Sequence, residues 1–569
     1  MAYSLSPGVT WSEIDLTTIV PSVSTSVGAF AGDFNWGPVG EIFTISNELD
    51  LVRYFGKPDS NTYTSFFTCA NFLSYAQNLK VVRAANTTAL NATTGTLGVL
   101  INNEDKYDAL FSDVDTANTS GMFAARYPGD LGNGLRISVW ASANATAYAS
   151  WEYANEFQRA PSTSNYVATK GGANDEMHII VVDPFGKFSG VANTVLEKYS
   201  FVSKASDAKN DDGSSNYYAD VLAQRSEYVW PINHALNSTT LVVETSTWGD
   251  LAQGTTFAQT SNFYTMNFRE GSRGGAVQNS DVISGYDKFY SPEDVDISLV
   301  MTGSASQLVS EYVVDNIVGY RRDSVAFISP LMNDVVNNAG YEAADIITYR
   351  NDFSSSSYAV MDSGWKKQFD KYNNVYRWVP LNGDIAGLCA RTDFERDAWF
   401  SPAGFNRGNI KNVVKLSWNP NKTYRDELYK NGINPVVEFK GEGVILYGDK
   451  TMLAKPSAFD RINVRRLFIV LEKAISKAAK YSLFEFNDEF TRAQFVALVE
   501  PFLRDVKGRR GIFDFKVVCD DSNNTPEVID RNEFIGDIYI KPARSINFIQ
   551  LNFVAVRTGV AFSEVVGKF

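Results

Sequence analysis

Ser545-Ile-Asn-Phe-Ile-Gln-Leu-Asn-Phe-Val-Ala-Val-Arg557, close to the C-terminal end, decides how the chain is read. Ile549, Leu551, Phe553 and Ala555 fall on one side of an extended backbone, and Gln550 and Asn552 on the other, the period-two pattern of a strand. A dozen residues so extended reach about 40 Å. No partner strand follows in the sequence. A long β-competent segment at a chain end carries a row of backbone donors and acceptors that another sheet edge can take up. The pattern predicts a strand lent to a neighbour, and with it a polymer rather than an enzyme.

The residues just ahead form the clearest unit. A helix over 461–481 gathers Val464, Leu467, Phe468, Leu471, Ile475 and Ala478 into one apolar stripe. A second helix is predicted over 488–506, interrupted by Pro501, and strands over 512–519, 534–541 and 546–556. Together they give an α+β domain over 421–556, with two helices on a small sheet, and a C-terminal arm over 557–569. Opposite the apolar stripe, Arg466, Lys473, Lys477 and Lys480 share a face within about 60°. Most basic stripes are solvated, but Ile462 and Ile469 lie on this same side. Apolar members in a basic stripe point to docking on an acidic partner.

Residues 1–23 hold Pro7 and Pro21 and no helical period, which predicts an extended N-terminal arm. A strand over 27–34, helices over 47–55 and 66–77 and a strand over 79–84 then open an α/β domain. Composition shifts after this point. Residues 86–120 are rich in Thr, Asn, Asp and Ala, and 121–290 alternate short β runs (135–141, 178–182, 240–244, 261–268) with polar loops. The loop 206–215 is the most exposed of these. Patterning of the α/β kind resumes with a strand over 295–301, a helix over 306–319, a strand over 324–328 and a helix near 334–343. The fold class is therefore α/β and α+β multidomain. One α/β domain is built from 24–85 plus 290–420 and carries an inserted β-rich outer domain over 86–289.

Composition narrows the function. The chain has 569 residues, 44% of them hydrophobic and 21% charged, ordinary values for globular domains. Aromatics, at 13%, are generous enough for large subunit interfaces or aromatic-rich cores. The net charge of −13 argues against non-specific nucleic-acid binding. From Pro456 onward 17 Lys/Arg stand against 15 Asp/Glu, a net of +2 that leaves −15 on residues 1–455. Cys69, Cys389 and Cys519 are too few and too scattered for a disulfide framework or a zinc site and fit a reducing compartment. No signal-like N-terminus and no apolar run of membrane-spanning length is present, so a cytoplasmic, soluble product is expected and the Asn-x-Ser/Thr sites at Asn86, Asn91, Asn118, Asn144 and Asn237 are composition only.

Chemistry is thinly represented. His178, at the head of a predicted strand, and His234, near Pro231 in a turn, are the only imidazoles, and both read as structural. Asp520-Asp-Ser-Asn-Asn-Thr525 spaces oxygen ligands like a calcium loop but lacks Gly at position six and has Arg531 where the loop needs Glu. It reads as an Asx-rich hairpin loop. Gly129-Asp-Leu-Gly132-Asn-Gly134 reads as a turn into a strand and Gly271-Ser-Arg-Gly-Gly275 as a loop. No catalytic residue, cofactor or metal is predicted.

Several segments carry a resemblance. They include Leu5-Ser-Pro-Gly-Val9 with Glu13, Gly32-Asp-Phe-Asn-Trp-Gly-Pro38, Asn47-Glu-Leu-Asp-Leu-Val52 with Phe55-Gly56, and Leu79-Lys-Val-Val-Arg-Ala84. Further on come Gln368-Phe-Asp-Lys-Tyr-Asn373 with Arg377-Trp-Val-Pro380, Asp384-Ile-Ala-Gly-Leu-Cys-Ala-Arg-Thr-Asp393, Ser401-Pro-Ala-Gly-Phe-Asn-Arg-Gly408 and Leu446-Tyr-Gly-Asp-Lys-Thr451. Phe459-Asp-Arg-Ile-Asn-Val-Arg-Arg-Leu-Phe468 and Asn523-Asn-Thr-Pro-Glu-Val-Ile-Asp-Arg-Asn-Glu-Phe534, continuing to Pro542-Ala-Arg-Ser-Ile-Asn547, complete the set. In these runs the chain resembles the tail sheath proteins of contractile-tailed phages (myoviruses) of the T-even type. The likeness is dense over 1–85 and 360–569 and sparse between. This sequence is shorter, with the outermost domain of larger relatives missing or reduced to about 86–120.

The resemblance implies a structural virion protein of the tail, assembled in the host cytoplasm. Its partners would be itself, in six-fold rings stacked into a helical sheath, the tail tube protein, and the baseplate and tail terminator proteins, with no direct nucleic acid and no membrane insertion. Contraction of a metastable extended sheath would drive the tube through the host envelope for genome ejection. The alternative is a baseplate or other scaffold component that uses the sheath fold without contracting. Terminal arms would add strands to a neighbour's C-terminal sheet. On this chain that exchange would use Val9, Trp11 and Ile14 in front and Ile549, Leu551, Phe553, Val554 and Val556 behind. The C-terminal domain would lie innermost, so Arg466, Lys473, Lys477 and Lys480 would face the tube.

Overall fold

A computed structural model describes residues 23–111, 120–142, 144–234, 247–260, 262–547 and 550. The chain divides into two compact units between Leu483 and Phe484. In the first, β1 (Gly28–Asp33) is followed by β2 (Ile42–Ile45), α1 (Glu48–Phe55), α2 (Tyr63–Leu73) and β3 (Leu79–Ala84). Asn47 starts α1 by accepting the Asp50 N–H on its side chain, a local cap that makes this boundary legible.

The chain then leaves the sheet. It builds a four-stranded antiparallel sheet from β4 (Arg136–Trp140), β5 (Glu176–Asp183), β6 (Thr194–Ser203) and β7 (Tyr264–Asn267), in the order β6-β5-β4-β7. It returns with β8 (Leu299–Met301), β9 (Val325–Ile328) and β10 (Ala359–Asp362). Next come β11 (Trp365–Asp370), β12 (Val375–Pro380), the helix α3 (Asn382–Glu395), β13 (Lys415–Leu416) and β14 (Ile433–Asn434).

The main sheet has seven strands in the order β14-β10-β9-β8-β1-β3-β2, parallel except for β2 at one edge. Both faces are covered, as a parallel sheet requires. Phe30, Phe66, Phe72, Leu388 and Cys389 pack on one face, and Ala29, Ala31, Tyr286, Ile317 and Ile346 on the other. β1 therefore sits between β3 and β8, the latter more than 260 residues downstream in sequence, and the antiparallel β-rich segment hangs from the same sheet. Two arginines stitch that junction. Buried Arg83 donates to the carbonyls of Phe34, Gly37 and Pro128, and Arg273 bonds Asp33, Asp59 and Asn35.

Several expectations need correction. The strand Ile42–Ile45 and the ten-residue β6 were not anticipated. The helix expected near 334–343 is two short helices, Met332–Val335 and Glu342–Asn351, because Asn337 and Gly340 between them adopt positive φ. The helix from 306 contains a π turn over Val313–Val318. The helix read as interrupted at Pro501 runs through it. The C-terminal domain does not begin at 421: β14, the hairpin Val436–Phe439 with Gly443–Leu446, and the helix α4 (Ile462–Ala479) belong to the first unit. The β run at 240–244 lies outside the described residues.

Beneath α3 the body holds buried charge. Lys366 Nζ donates to Asp384 Oδ1 at 2.8 Å and to the Lys411 carbonyl, and Tyr75 Oη also reaches Asp384. Gly383 and Gly387 let α3 approach α2: a Cβ on Gly383 would lie 2.4 Å from the Thr68 carbonyl oxygen, and one on Gly387 2.5 Å from the Tyr75 ring. Asp362, at the end of β10, accepts from the Ser329 hydroxyl and the Gly364 N–H. Burial nevertheless pushes its carboxyl up to about 8. A carboxyl raised in the folded state stabilises the fold fully below the unfolded pKa of about 4 and loses that contribution as pH climbs through about 8. Thermal denaturation should therefore show the wild-type midpoint falling between pH 5 and pH 8.5 more steeply than that of Asp362→Asn. Parallel curves would contradict the assignment.

Candidate assembly surfaces

The helix α4 is amphipathic twice over. Val464, Leu467, Leu471, Ile475 and Ala478 are buried, as its apolar stripe predicts. Ile462 and Ile469, on the other side, are buried in the core under the main sheet. That second contact explains why isoleucines interrupt the basic stripe. It also breaks the stripe up.

Arg466 does not face outward. Its side chain is 4% exposed and makes a two-pronged ion pair with Asp393 on α3, with Nη1 2.7 Å from Oδ1. It also donates to the carbonyls of Thr25 and Cys389. Burial works against its charge, but Asp393 together with Cys389 holds the guanidinium above its usual range. Lys473, with its side chain 13% exposed, donates to Asp296 Oδ1 at 2.8 Å, to the Ile297 carbonyl at 2.7 Å and to the Ser298 hydroxyl. Both residues are thus clamps between α4 and the α/β body. Lys477 and Lys480 remain exposed. Sequence reading missed the partners Asp393 and Asp296 because they lie 73 and 177 residues from the cations they bind.

At the head of α4 more aromatic and acidic groups converge. Arg461 donates to Asp449 Oδ1 at 3.0 Å and to the Tyr429 hydroxyl. The Arg465 guanidinium lies 4.0 Å from the Phe459 ring centroid and 4.3 Å from that of Tyr358.

The second unit is small. The helix α5 (Glu489–Gly508) backs a two-stranded antiparallel sheet of β15 (Ile512–Val518) and β16 (Asp537–Pro542). Asp488 caps α5 through the Thr491 N–H at 2.8 Å, and Phe495, Val499, Leu503 and Val506 form its buried side. The loop between the strands is not the plain hairpin expected. Asp520 and Asn523 bond their own turn, and a short helix, Pro526–Asp530, follows. Asn524 pins the far end by accepting the Ile535 N–H and donating to its carbonyl.

Among the described residues neither outer edge of this sheet is paired. Phe513 on β15 and Tyr539 on β16 are 68% and 60% exposed, and Phe484, Phe486 and Phe490 are more so. Of the third strand expected over 546–556, residues 546, 547 and 550 are described and none is in a strand. Val9, Trp11, Ile14, Ile549, Leu551, Phe553, Val554 and Val556 lie outside the described residues.

Nothing in the rest of the described chain assembles a reaction centre from the groups singled out by sequence. His178 is stacked on Phe157, accepts the Phe201 N–H on Nδ1 and meets the Arg159 carbonyl through Nε2, and burial lowers its pKa. His234 Nδ1 lies 2.8 Å from the Tyr218 hydroxyl in the β-rich segment. A crevice of about 780 Å³ opens at the C-terminal ends of β1 and β8, the topological switch point of the sheet. The Gly271–Gly275 loop lines it, but Arg273 there is already held by Asp33 and Asp59.

Comparison with known proteins follows this geometry. Residues 275–452 match the phage tail sheath protein central domain, 454–555 the phage tail sheath C-terminal domain, and 25–84 the tail sheath protein Gp18 domain III N-terminal region. The chain is 35% identical to the tail sheath protein of Vibrio phage KVP40, over 99% of this chain and 100% of that one. It is 34% identical to the tail sheath protein of Enterobacteria phage T4, over 99% of each. Among solved structures, a sheath tail protein from Listeria innocua superposes with a TM-score of 0.52 at 13% identity, covering 92% of this chain and 96% of that one. The helical sheath of the anti-feeding prophage in its contracted state gives 0.50 at 13% identity, covering 97% and 99%. At these identities the structural likeness bears on the fold.

The clamp reading of Arg466 makes a sharp prediction. Asp393→Ala leaves a buried guanidinium without its carboxylate and should lower stability by about 3–5 kcal/mol in a urea titration. Replacing both partners by Met and Leu should recover most of that loss. Lys477→Ala should change stability by less than about 0.5 kcal/mol. Equal effects at 393 and 477 would contradict the division of the stripe.

Proposed function

Because the chain belongs to the phage tail sheath family, we propose that it polymerises around a tail tube as a contractile sheath whose shortening drives the tube through the host envelope. The observation that carries this reading is the small sheet of the second unit. A two-stranded sheet is marginal by itself and here leans on a single helix, and among the described residues β15–β16 has unpaired edges beside exposed Phe513 and Tyr539. Such edges are acceptors for strands from other copies. Strand addition of this head-to-tail kind does not close on itself and so builds helical filaments.

In this reading the donors are the two terminal segments, with Val9, Trp11 and Ile14 in one and Ile549, Leu551, Phe553, Val554 and Val556 in the other. They keep neighbouring copies linked while the bodies rotate and slide. The extended sheath is held by a barrier rather than by being the lowest state, so contraction needs no nucleotide. Baseplate and terminator proteins bound the polymer at its ends. The tube contact falls to Lys477 and Lys480, the two cations of the α4 stripe that the body leaves exposed. Exposed pairs worth roughly 0–1 kcal/mol each are strong enough, in number, to template extended rings and weak enough to let go.

Two tests follow. Deleting 1–20 or 548–569 should leave a subunit with an unchanged thermal midpoint that forms no long cylinders in electron micrographs. Normal cylinders from both truncations would overturn the strand-exchange reading. Lys477→Glu with Lys480→Glu should reduce the count of extended sheaths on tubes, with the deficit growing at low salt, where like charges repel most, while tube-free cylinders still form. Equal loss of both forms would assign these lysines to sheath–sheath contacts instead.

A further inference from the structure

The Lys366–Asp384 pair beneath α3 is dry on both sides: both side chains are 0% exposed, and Nζ lies 2.8 Å from Oδ1. A buried ion pair offsets its own desolvation only when the remaining donors and acceptors are also satisfied. Here they are not. Asp384 Oδ2 has no hydrogen-bond partner among the described residues. Lys366 Nζ has two acceptors, Asp384 and the Lys411 carbonyl at 2.9 Å. Two acceptors suit the two hydrogens of a neutral amine and leave the third hydrogen of an ammonium idle. Burial holds the amine below its ordinary range and the carboxyl above its own, although each is drawn back by the other's charge.

The two groups are held in place from both sides. Lys366 lies in β11, paired with Val379 on β12 and Leu416 on β13. Asp384 lies in the first turn of α3, which Gly383 and Gly387 seat against α2. The Tyr75 hydroxyl accepts the Lys411 N–H at 2.7 Å and so turns its own hydrogen to Asp384 Oδ1, 3.2 Å away. An amine and a carboxyl fixed at this distance react as one molecule rather than two. The buried setting also excludes the water that would reverse a condensation.

We propose that Lys366 and Asp384 condense after folding into an intramolecular amide, a covalent cross-link between β11 and α3. The Nζ–Cγ bond forms and the Cγ–Oδ2 bond breaks. Oδ2 departs as water, taking the carboxyl proton and one amine hydrogen, so atoms and electrons balance without an oxidant or a cofactor. The product satisfies what the pair cannot. Its N–H keeps the Lys411 carbonyl, its Oδ1 keeps the Tyr75 hydroxyl, and the oxygen without a partner is the one lost. Asp362, which burial and the charge of Asp384 push up to about 8, is protonated near neutral pH. It can lend a proton to the departing oxygen and recover one from the attacking amine. The cross-link closes 366–384 into a covalent loop that contains β12, so this loop cannot be drawn out when the subunit is pulled. The inference concerns one chain and does not depend on the polymerisation proposed above.

The test is mass spectrometry of the full-length chain, denatured after storage in the folded state. The wild type should be lighter than its sequence by the mass of one water. Trypsin should fail to cut after Lys366 and should yield a branched peptide joining 351–367 to 378–391. Chain kept unfolded in urea for the same time should retain its full mass. Lys366→Met with Asp384→Leu strands no charge, so it should fold and also retain its full mass. Asp362→Asn should slow closure at least about tenfold, and an unchanged rate would remove Asp362 from the step. A wild type of full mass that is cut normally after Lys366 would overturn the inference. So would a loss of water without the branched peptide, or one that persists in the Met/Leu double variant.

Discussion

Among the described residues, a two-stranded sheet with one helix behind it leaves the hydrogen-bonding groups of both outer edges unpaired, and the assembly proposed for the molecule depends on this constraint. β15 and β16 satisfy each other, and α5 supplies Phe495, Val499 and Leu503 as a core. Among the described residues what remains is two unpaired edges and a set of aromatics that solvent does not favour. In the assembly proposed here the same incompleteness would be the means of joining, each copy completing its edges with strands from others.

The first unit has the opposite character. Its seven-stranded sheet is covered on both faces, and three of its buried cations are matched: Arg83 by three carbonyls, Lys366 by Asp384, Arg466 by Asp393. Breaking such pairs is costly because it strands a charge away from water. The α4 helix is fastened into this body through Ile462 and Ile469 and through the ion pairs of Arg466 and Lys473. A rigid body of this kind suits the proposed polymer, whose copies must rearrange without coming apart.

Much of this was legible in sequence, and the failures have physical causes. β1 and β3 follow from short buried runs bounded by turn residues, α1 from the Asn47 cap, and the long helix α4 from its 3.6-residue period. β6 was missed because adjacent Val195 and Leu196 break the alternation and its pairing with β5 shifts register twice. Pro501 reads as a break, yet tertiary packing of Val499 and Leu503 carries the helix through it. The four-residue basic stripe on α4 was seen correctly as a pattern and misread as a single surface. Periodicity shows which residues share a face but not what that face meets, and Asp393 and Asp296 come from distant parts of the chain. The presence of Ile462 and Ile469 in the stripe was the signal that the face was internal.

The central claim is that the β15–β16 sheet is completed only by other copies of the chain. Amide hydrogen exchange measured on the unassembled subunit and on the polymer tests it directly. The account predicts that amides of β15 and β16 exchange at least about a hundredfold more slowly in the polymer, while those of β5, buried along its length, are equally protected in both. Equal protection of β15 and β16 before and after assembly would show that the sheet is complete within one chain, and would contradict the account.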